Sequence, residues 1–319
     1  MEVEQKHTTP HAKKLAIVTM SYRDDFEECG LLVKSIDIFV GNEILHYIVV
    51  NDEDFRLFQA YNYGQHRILK KSTILPKYLV RLPFKIFGHN FWISPFTIPV
   101  RGWIVQQICK LGIFEVINKD IDAVLNVDSE SVFCRPFDIN SFLSNGKFPL
   151  FMINSNEYHH DHYVKSTKRL LRIDKDITVA LQYSYIVGGG ECFTRKNLTS
   201  LLKRIGAKQI FRSWKMRLCN TYRFSEYNLY GIYVNTFLDE EDHYLAHIVH
   251  NKDRPFPLIN IMTSSTDFEN KIKEFMSNGK ALGLWMQKHK RNKKTGGYLS
   301  FGKRKEIIQK FGNFINREQ

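Results

Sequence analysis

Between Phe55 and Phe114 the chain has no aspartate and no glutamate, although it carries 33 acids in its 319 residues. The bases of that stretch (Arg56, Arg67, Lys70, Lys71, Lys77, Arg81, Lys85, Arg101 and Lys110) therefore have no acid within it. They must pair with distant acids or face an anionic partner. Cysteine is scarce too: Cys29, Cys109, Cys134, Cys192 and Cys219 are scattered without C-x-x-C spacing. That pattern argues against a zinc ribbon and against a disulfide framework, and fits reduced thiols in a cytosolic compartment. Long apolar runs are missing as well. The uncharged segment Ile86 to Val100 falls short of a bilayer span and is broken by Pro95 and Pro99. The polar N-terminus, with Glu2 and Glu4, lacks the apolar core of a secretory signal, so residues 1–13 are expected to be flexible and the protein cytoplasmic. RNP and zinc-finger signatures are absent, which argues against nucleic acid as the partner.

What is present is a globular composition, 43% hydrophobic and 25% charged, with material for a sizeable core. The net charge of +13 and pI near 9.4 favour anionic partners such as phospholipid or sugar nucleotides. Lys14 to Ser21 reads as a strand, and Asp24 to Val40 as a helix whose apolar positions Phe26, Leu31, Leu32, Ile36 and Phe39 recur at helical spacing. A second strand, Ile44 to Val50, runs into Asn51-Asp52-Glu53-Asp54, and a helix is expected over Gly102 to Ile113. Repeated strand–helix units predict an α/β fold with a mostly parallel twisted sheet flanked by helices. Ligands of such sheets sit at the carboxyl ends of the strands, where Ser21, Asp52, Asp128 and Glu130 fall.

The tract from Asp122 to Pro136 carries the sharpest chemistry. Its apolar run Ala123 to Val127 is short enough for a central strand and leads directly into Asp128-Ser129-Glu130. On extended backbone, side chains two apart share a face, so Asp128 and Glu130 could share one ion. Mg²⁺ or Mn²⁺ takes hard oxygen ligands, often one or two carboxylates with phosphates and water completing the shell. A pair of solvated acids opening a loop has the same spacing. Residues 55–101 read as a basic, aromatic insertion, either buried or dipping into an anionic membrane surface with Phe91 and Trp92 at the interface. A second basic run, Lys288 to Lys294, precedes Gly296-Gly297 and leads into a basic C-terminal tail, taken over 291–319.

Several segments together carry a family resemblance. They are Thr19-Met-Ser-Tyr22, then Gly102-Trp-Ile-Val-Gln-Gln-Ile-Cys-Lys-Leu111, then Asp128-Ser-Glu130, Gly188-Gly-Gly190 and Ser225-Glu-Tyr-Asn-Leu-Tyr-Gly231. In this order the chain resembles bacterial glycosyltransferases of GT-A fold and, more narrowly, the DUF6492 group associated with surface polysaccharides. The resemblance spans roughly residues 14–290. The sequence departs from the commoner Asp-x-Asp by placing Glu at 130.

The resemblance implies a nucleotide-sugar donor, a glycan or lipid-linked glycan acceptor, and a peripheral location on the inner face of the cell membrane. Thr19, Ser21 and Asp52 would recognise base and ribose. Asp128 and Glu130 would hold Mn²⁺ or Mg²⁺ on the diphosphate, with His289 returning to the metal. Trp103, Gln107 and Lys110, which share a helix face, would meet the donor. Gly188, Gly189 and Gly190 would let backbone approach it, though a plain tight turn uses glycine the same way. Glu226 would be the base for the acceptor hydroxyl of an inverting enzyme; read locally, Ser225 caps a helix and Glu226 is its first-turn acid. A retaining enzyme would share every one of these motifs. The histidines of Glu157 to His162 are expected to line a surface or acceptor groove. A metal-dependent phosphodiesterase, a nucleic-acid module and a silent membrane scaffold are the readings from other classes.

Overall fold

The computed structural model describes residues 12–154, 161–173, 182–188, 190–207, 213–238, 242–250, 253–256, 282–285 and 313. The first strand, β1 (Leu15–Met20), is followed by α1 (Phe26–Phe39), β2 (Leu45–Val50), the single turn α2 (Phe55–Phe58) and β3 (His66–Lys70). Strands β4 (Val80–Arg81), β5 (Phe91–Ser94) and β6 (Thr97–Arg101) lead into α3 (Gly102–Gly112) and β7 (Ala123–Asn126). Next come β8 (Ser131–Phe133), α4 (Ile139–Phe142), β9 (Phe148–Asn154), α5 (Asp161–Leu171) and β10 (Tyr183–Ser184). The order closes with β11 (Glu191–Thr194), α6 (Arg195–Gly206), α7 (Trp214–Cys219), α8 (Glu226–Phe237), β12 (His243–Ile248) and β13 (Gly283–Trp285).

The central sheet has the order β11-β7-β1-β2-β3, parallel throughout except for β11, which runs antiparallel to β7. Every residue of β1 and β7 is buried, as expected of a strand covered on both faces. Alternation sorts their side chains into two cores. Leu15, Ile17, Ala123 and Leu125 pack with Leu32 and Ile36 of α1. Ala16, Val18 and Val124 pack with Ile104, Val105 and Ile108 of α3, with Leu198 and Leu201 of α6, and with Leu229 and Ile232 of α8. The mostly parallel α/β fold read from the sequence is therefore the observed one, and the elements forecast around residues 15, 26, 45, 102 and 123 are all present.

Two local readings change. Residues 55–101 are not one insertion, because β3 is the edge strand of the central sheet; only β4-β5-β6 form a separate antiparallel sheet. Asp128 and Glu130 do not lie on extended backbone either. Strand β7 stops at Asn126, and the Ser131 N–H donates to the Asp128 carbonyl at 3.0 Å, closing a turn with Ser129 and Glu130 at its centre. Strand alternation therefore does not relate the two acids.

Candidate active site

Helix α3 and the start of α8 meet at the carboxyl edge of the sheet, and an interlocking set of contacts fixes their junction. Ser225 caps α8, its hydroxyl accepting from the Asn228 N–H. The next free backbone donor, the N–H of Glu226, donates to Gln107 Oε1 at 3.0 Å. Gln107 thus satisfies a helix-terminal N–H that is buried from water. Asn228 Oδ1 accepts from the Tyr185 N–H at 2.8 Å, and the Tyr230 hydroxyl meets the Thr194 N–H at 2.9 Å and His243 Nε2 at 2.6 Å. At Gly231 a Cβ would lie 2.1 Å from Cγ of Tyr185, so only glycine admits that ring. Tyr185 thus serves two positions of Ser-Glu-Tyr-Asn-Leu-Tyr-Gly, Asn228 and Gly231.

The charged centre is Lys110. Its ammonium lies 3.2 Å from Glu226 Oε1 and 3.7 Å from Asp128 Oδ1, and it donates to the Tyr227 hydroxyl. Burial opposes the charge on Lys110, but Glu226, Asp128 and Glu191 outweigh it and raise its pKa above the ordinary value. Glu226 is buried, and burial raises its carboxyl above the usual range although Lys110 pulls the other way. Glu191 is buried at the start of β11, with Oε1 accepting from the Gly188 N–H at 3.0 Å. Burial, with Asp128 and Glu226 nearby, pushes its pKa up to about 8 against the pull of Lys110. Burial and the neighbouring carboxylates also lift the Tyr227 phenol well above its usual value. One ammonium thus lies among three carboxyl groups, and those of Glu226 and Glu191 are raised by burial, an arrangement suited to acid–base chemistry.

Beside this centre opens a cavity of about 540 Å³, lined among others by Asn51, Lys71, Lys85, Trp103, Tyr163 and Arg223. The rings of Trp103 and Tyr163 are 5.7 Å apart, and the Glu226 charge helps raise the Tyr163 phenol, itself shifted chiefly by burial. Cavity and charged centre are therefore neighbours. Lys71 donates to Asn51 Oδ1 at 2.8 Å, and its burial lowers its pKa. Aromatic walls and convergent bases suit an anionic ligand with a planar ring.

The residues expected to act are distributed unevenly. Trp103, Gln107, Lys110, Asp128 and Glu226 come together at the cavity and the charged centre. Ser21 is buried at the end of β1, its N–H donating to the Val49 carbonyl. Asp52 is exposed and accepts from the Ser72 hydroxyl. Thr19 is fully buried, with its hydroxyl 3.0 Å from His46 Nε2. Gly188 has φ +78°, and a Cβ there would lie 2.5 Å from the Trp285 ring; at Gly190 it would lie 2.8 Å from Phe256. These two glycines admit aromatic packing. Gly189, His289, the run from Lys288 to Lys294 and residues 155–160 lie outside the described residues, while His162 lines the cavity.

The two strand-end acids lie within reach of solvent. The Asp128 side chain is 35% exposed, Glu130 is half-buried, and a hard cation completes its shell with phosphate and water when the protein offers only one or two carboxylates. Among the described residues no group of three or more His, Cys, Asp or Glu side chains is gathered to hold a metal. Sequence reasoning missed Glu191 and Tyr227 as members of the centre, and Asn51 and Lys71 as cavity walls. Each adjoins a motif that was noticed, but adjacency gives no direction to a side chain.

The family model for DUF6492, described as a family of unknown function, matches residues 13–281. No curated protein matches the chain. Among solved structures, it is similar to the apo form of the glycosyltransferase GlyE of Streptococcus pneumoniae TIGR4, at 10% identity and a TM-score of 0.39, covering 96% of this chain and 63% of that one. It is similar to the bifunctional glycosyltransferase WbbM at 12% identity and a TM-score of 0.43, covering 86% of this chain and 46% of that one. It is also similar to the galactosyltransferase LgtC in complex with donor and acceptor sugar analogues, at 12% identity and a TM-score of 0.42, with 95% of each chain covered. The chain thus spans less than two thirds of GlyE and about half of WbbM. The likeness lies in the course of the chain; the chemistry rests on this chain's own residues.

Proposed function

The chain belongs to the DUF6492 family, and from the residues gathered at its strand ends we propose that it is a nucleotide-sugar-dependent glycosyltransferase of GT-A type. The observation that carries this reading is the placement of Lys110 between Glu226 and Asp128, beside a cavity walled by bases and aromatic rings. The nucleotide occupies the cavity, its base against Trp103 and Tyr163 and its diphosphate toward Lys71 and Arg223. Asp128 and Glu130 hold a divalent Mn²⁺ or Mg²⁺ ion, which supplies Lewis-acid neutralisation of the diphosphate when bound.

Glu226 is the base of an inverting transfer. Its raised pKa brings the carboxylate closer to the working pH, where a base combines the correct charge state with useful basicity. The acceptor hydroxyl passes its proton to Glu226, its oxygen bonds to the anomeric carbon, and the carbon–oxygen bond to the diphosphate breaks with its electron pair leaving on phosphate. Lys110, held by two carboxylates, keeps Glu226 in one place and sets how far burial lifts its pKa. The acceptor is a glycan, carried on a lipid in the reading developed below.

The test is a thermal-shift series against UDP-, GDP-, CMP- and dTDP-sugars with Mn²⁺, Mg²⁺ or chelator. A ligand that binds only the folded state raises the melting temperature, by about 2.7 kcal/mol of stability at a hundred times its Kd. A metal-dependent shift with one donor class that disappears in Asp128→Asn is expected. No shift with any nucleotide sugar would sink the reading.

A further inference from the structure

The small sheet β4-β5-β6 shows water a set of large apolar side chains, of which Phe96 also meets the Tyr78 ring edge-to-face at 5.6 Å. Val80 and Ile93, paired across β4 and β5, are both exposed, as are Phe84, Phe96 and Ile98. The sharpest case is Phe87, 95% exposed at the tip between β4 and β5. The backbones of Ile86 and His89 exchange two hydrogen bonds of 2.9 Å across Phe87-Gly88, with φ of +50° and +76°. Such a two-residue turn favours Asn-Gly, because positive φ is strained for a bulky side chain. A phenylalanine there adds backbone strain and exposed apolar surface together. Neither serves the fold, so a partner is the physical reason for it.

The charge around the tip says which partner. No acid occurs from residue 55 to 114 in the sequence, while Lys85, two residues before Phe87, and Lys77, three residues before β4, are exposed. Arg81 is engaged inward, paired with Glu53 and lying 5.6 Å from the Trp92 ring centre. A second copy of the chain would bring another net charge of +13 and the same exposed lysines against this face, and like charges oppose that pairing. Aromatic rings projecting among lysines, with the whole chain at +13, match an anionic bilayer, where rings enter the headgroup region and ammonium groups meet phosphate.

We propose that the β4–β5 tip, led by Phe84 and Phe87, docks the protein on an anionic lipid surface. The docking stands without the transferase reading. With that reading it names the acceptor's source: Lys85, Gly88 and His89 at the base of the tip line the 540 Å³ cavity, so a docked tip sets the cavity mouth at headgroup level, where a lipid-linked glycan is presented.

The test is flotation of the full chain with vesicles of phosphatidylcholine alone and with added phosphatidylglycerol, each at low and high salt, for the natural chain and for the double variant Phe84→Ser, Phe87→Asn. Expected are binding only to the anionic vesicles, weakening by salt, and a loss of roughly tenfold or more in the double variant. Its melting temperature should be unchanged or higher, since Asn tolerates the turn. Unchanged vesicle binding by the double variant overturns the proposal, as does a clear fall in its melting temperature, which would make the rings structural. Failure of the natural chain to bind anionic vesicles overturns it too: a dimer lost in the variant would then assign the face to a second copy, and retention on poly-glutamate to an acidic protein. Vesicle binding without any nucleotide-sugar shift would leave the docking standing and the transferase reading fallen.

Discussion

In the proposed transfer Lys110 is the residue on which the chemistry turns, and its environment makes Glu226 testable in isolation. Both are nearly enclosed, 3.2 Å apart, and the Glu226 carboxyl is raised by burial and restrained by the ammonium. Glu226→Gln keeps the shape and removes the proposed base. Transfer should fall about 10²–10⁴-fold, the range that a positioned general base supplies, while the donor-induced thermal shift remains. Near-normal turnover in a coupled nucleotide-release assay would make Glu226 a helix-start residue only. Glu191 stands apart from it: with its pKa at about 8, it holds a proton at neutral pH where Asp128 faces solvent. Glu191→Gln mimics that protonated form, so at pH 7 the variant should unfold at the natural temperature or above it. A loss of several degrees there would mean that the carboxylate is the form the fold requires.

At the scale of elements, two junctions hold the cavity's strands and helices in register. Beneath β1, β2 and β3 runs a buried chain in which Thr19 Oγ1 lies 3.0 Å from His46 Nε2 and His46 Nδ1 lies 2.9 Å from His66 Nδ1. His66 Nε2 continues it, 2.9 Å from Asp37. With both rings neutral, each contact has one donor and one acceptor: Thr19 to His46, His46 to His66, His66 to Asp37. Burial lowers both pKa values, that of His46 far below the ordinary value. The sign follows from depressed folded-state values: the unfolded chain binds protons first, so this stability is whole above about pH 6.5 and is lost as pH falls below it. The melting temperature should fall on going from about pH 7.5 to 5, more steeply than in His46→Gln; parallel slopes would show that the pair is not what titrates. The second junction is α8 against the segment at Tyr185. Gly231→Ala would drive a methyl into that ring and should cost about 1–3 kcal/mol in urea unfolding. No loss would mean that the ring has room to move aside.

At the scale of the whole molecule, the sheet and the helices packed on its two faces enclose the thiols, Cys192 on β11 and Cys29, Cys109 and Cys219 on helices. Cys29, Cys109, Cys134, Cys192 and Cys219 are all thiols outside any disulfide and all buried. Burial drives Cys29 and Cys109 up to about 12 and Cys219 to about 11. Thiolate is the reactive form, so the native protein should titrate less than about one thiol with a chromogenic disulfide, and all 5 after denaturation. Rapid reaction of a native thiol would show that one of the two cores opens. No helix of the described residues is long and apolar enough to cross a membrane.

The chain's own pattern determined β1, α1, β2, α3 and β7 almost to the residue, because period and length are local properties that neighbours along the chain display. It also brought Trp103, Gln107 and Lys110 onto one helix face and marked Glu226 beside a cap. Tertiary structure alone decided which partners those residues have. Gln107 reaches Glu226 across 119 positions and Lys110 reaches Tyr227 across 117, separations over which no periodicity carries information. It turned Thr19 into the core beside His46, recruited Glu191 through an antiparallel strand, and bent Asp128-Ser-Glu130 out of the extended form by a turn that closes between β7 and β8. Direction and company of a side chain depend on what folds back against it, and that is settled only when the sheet and its helices have packed.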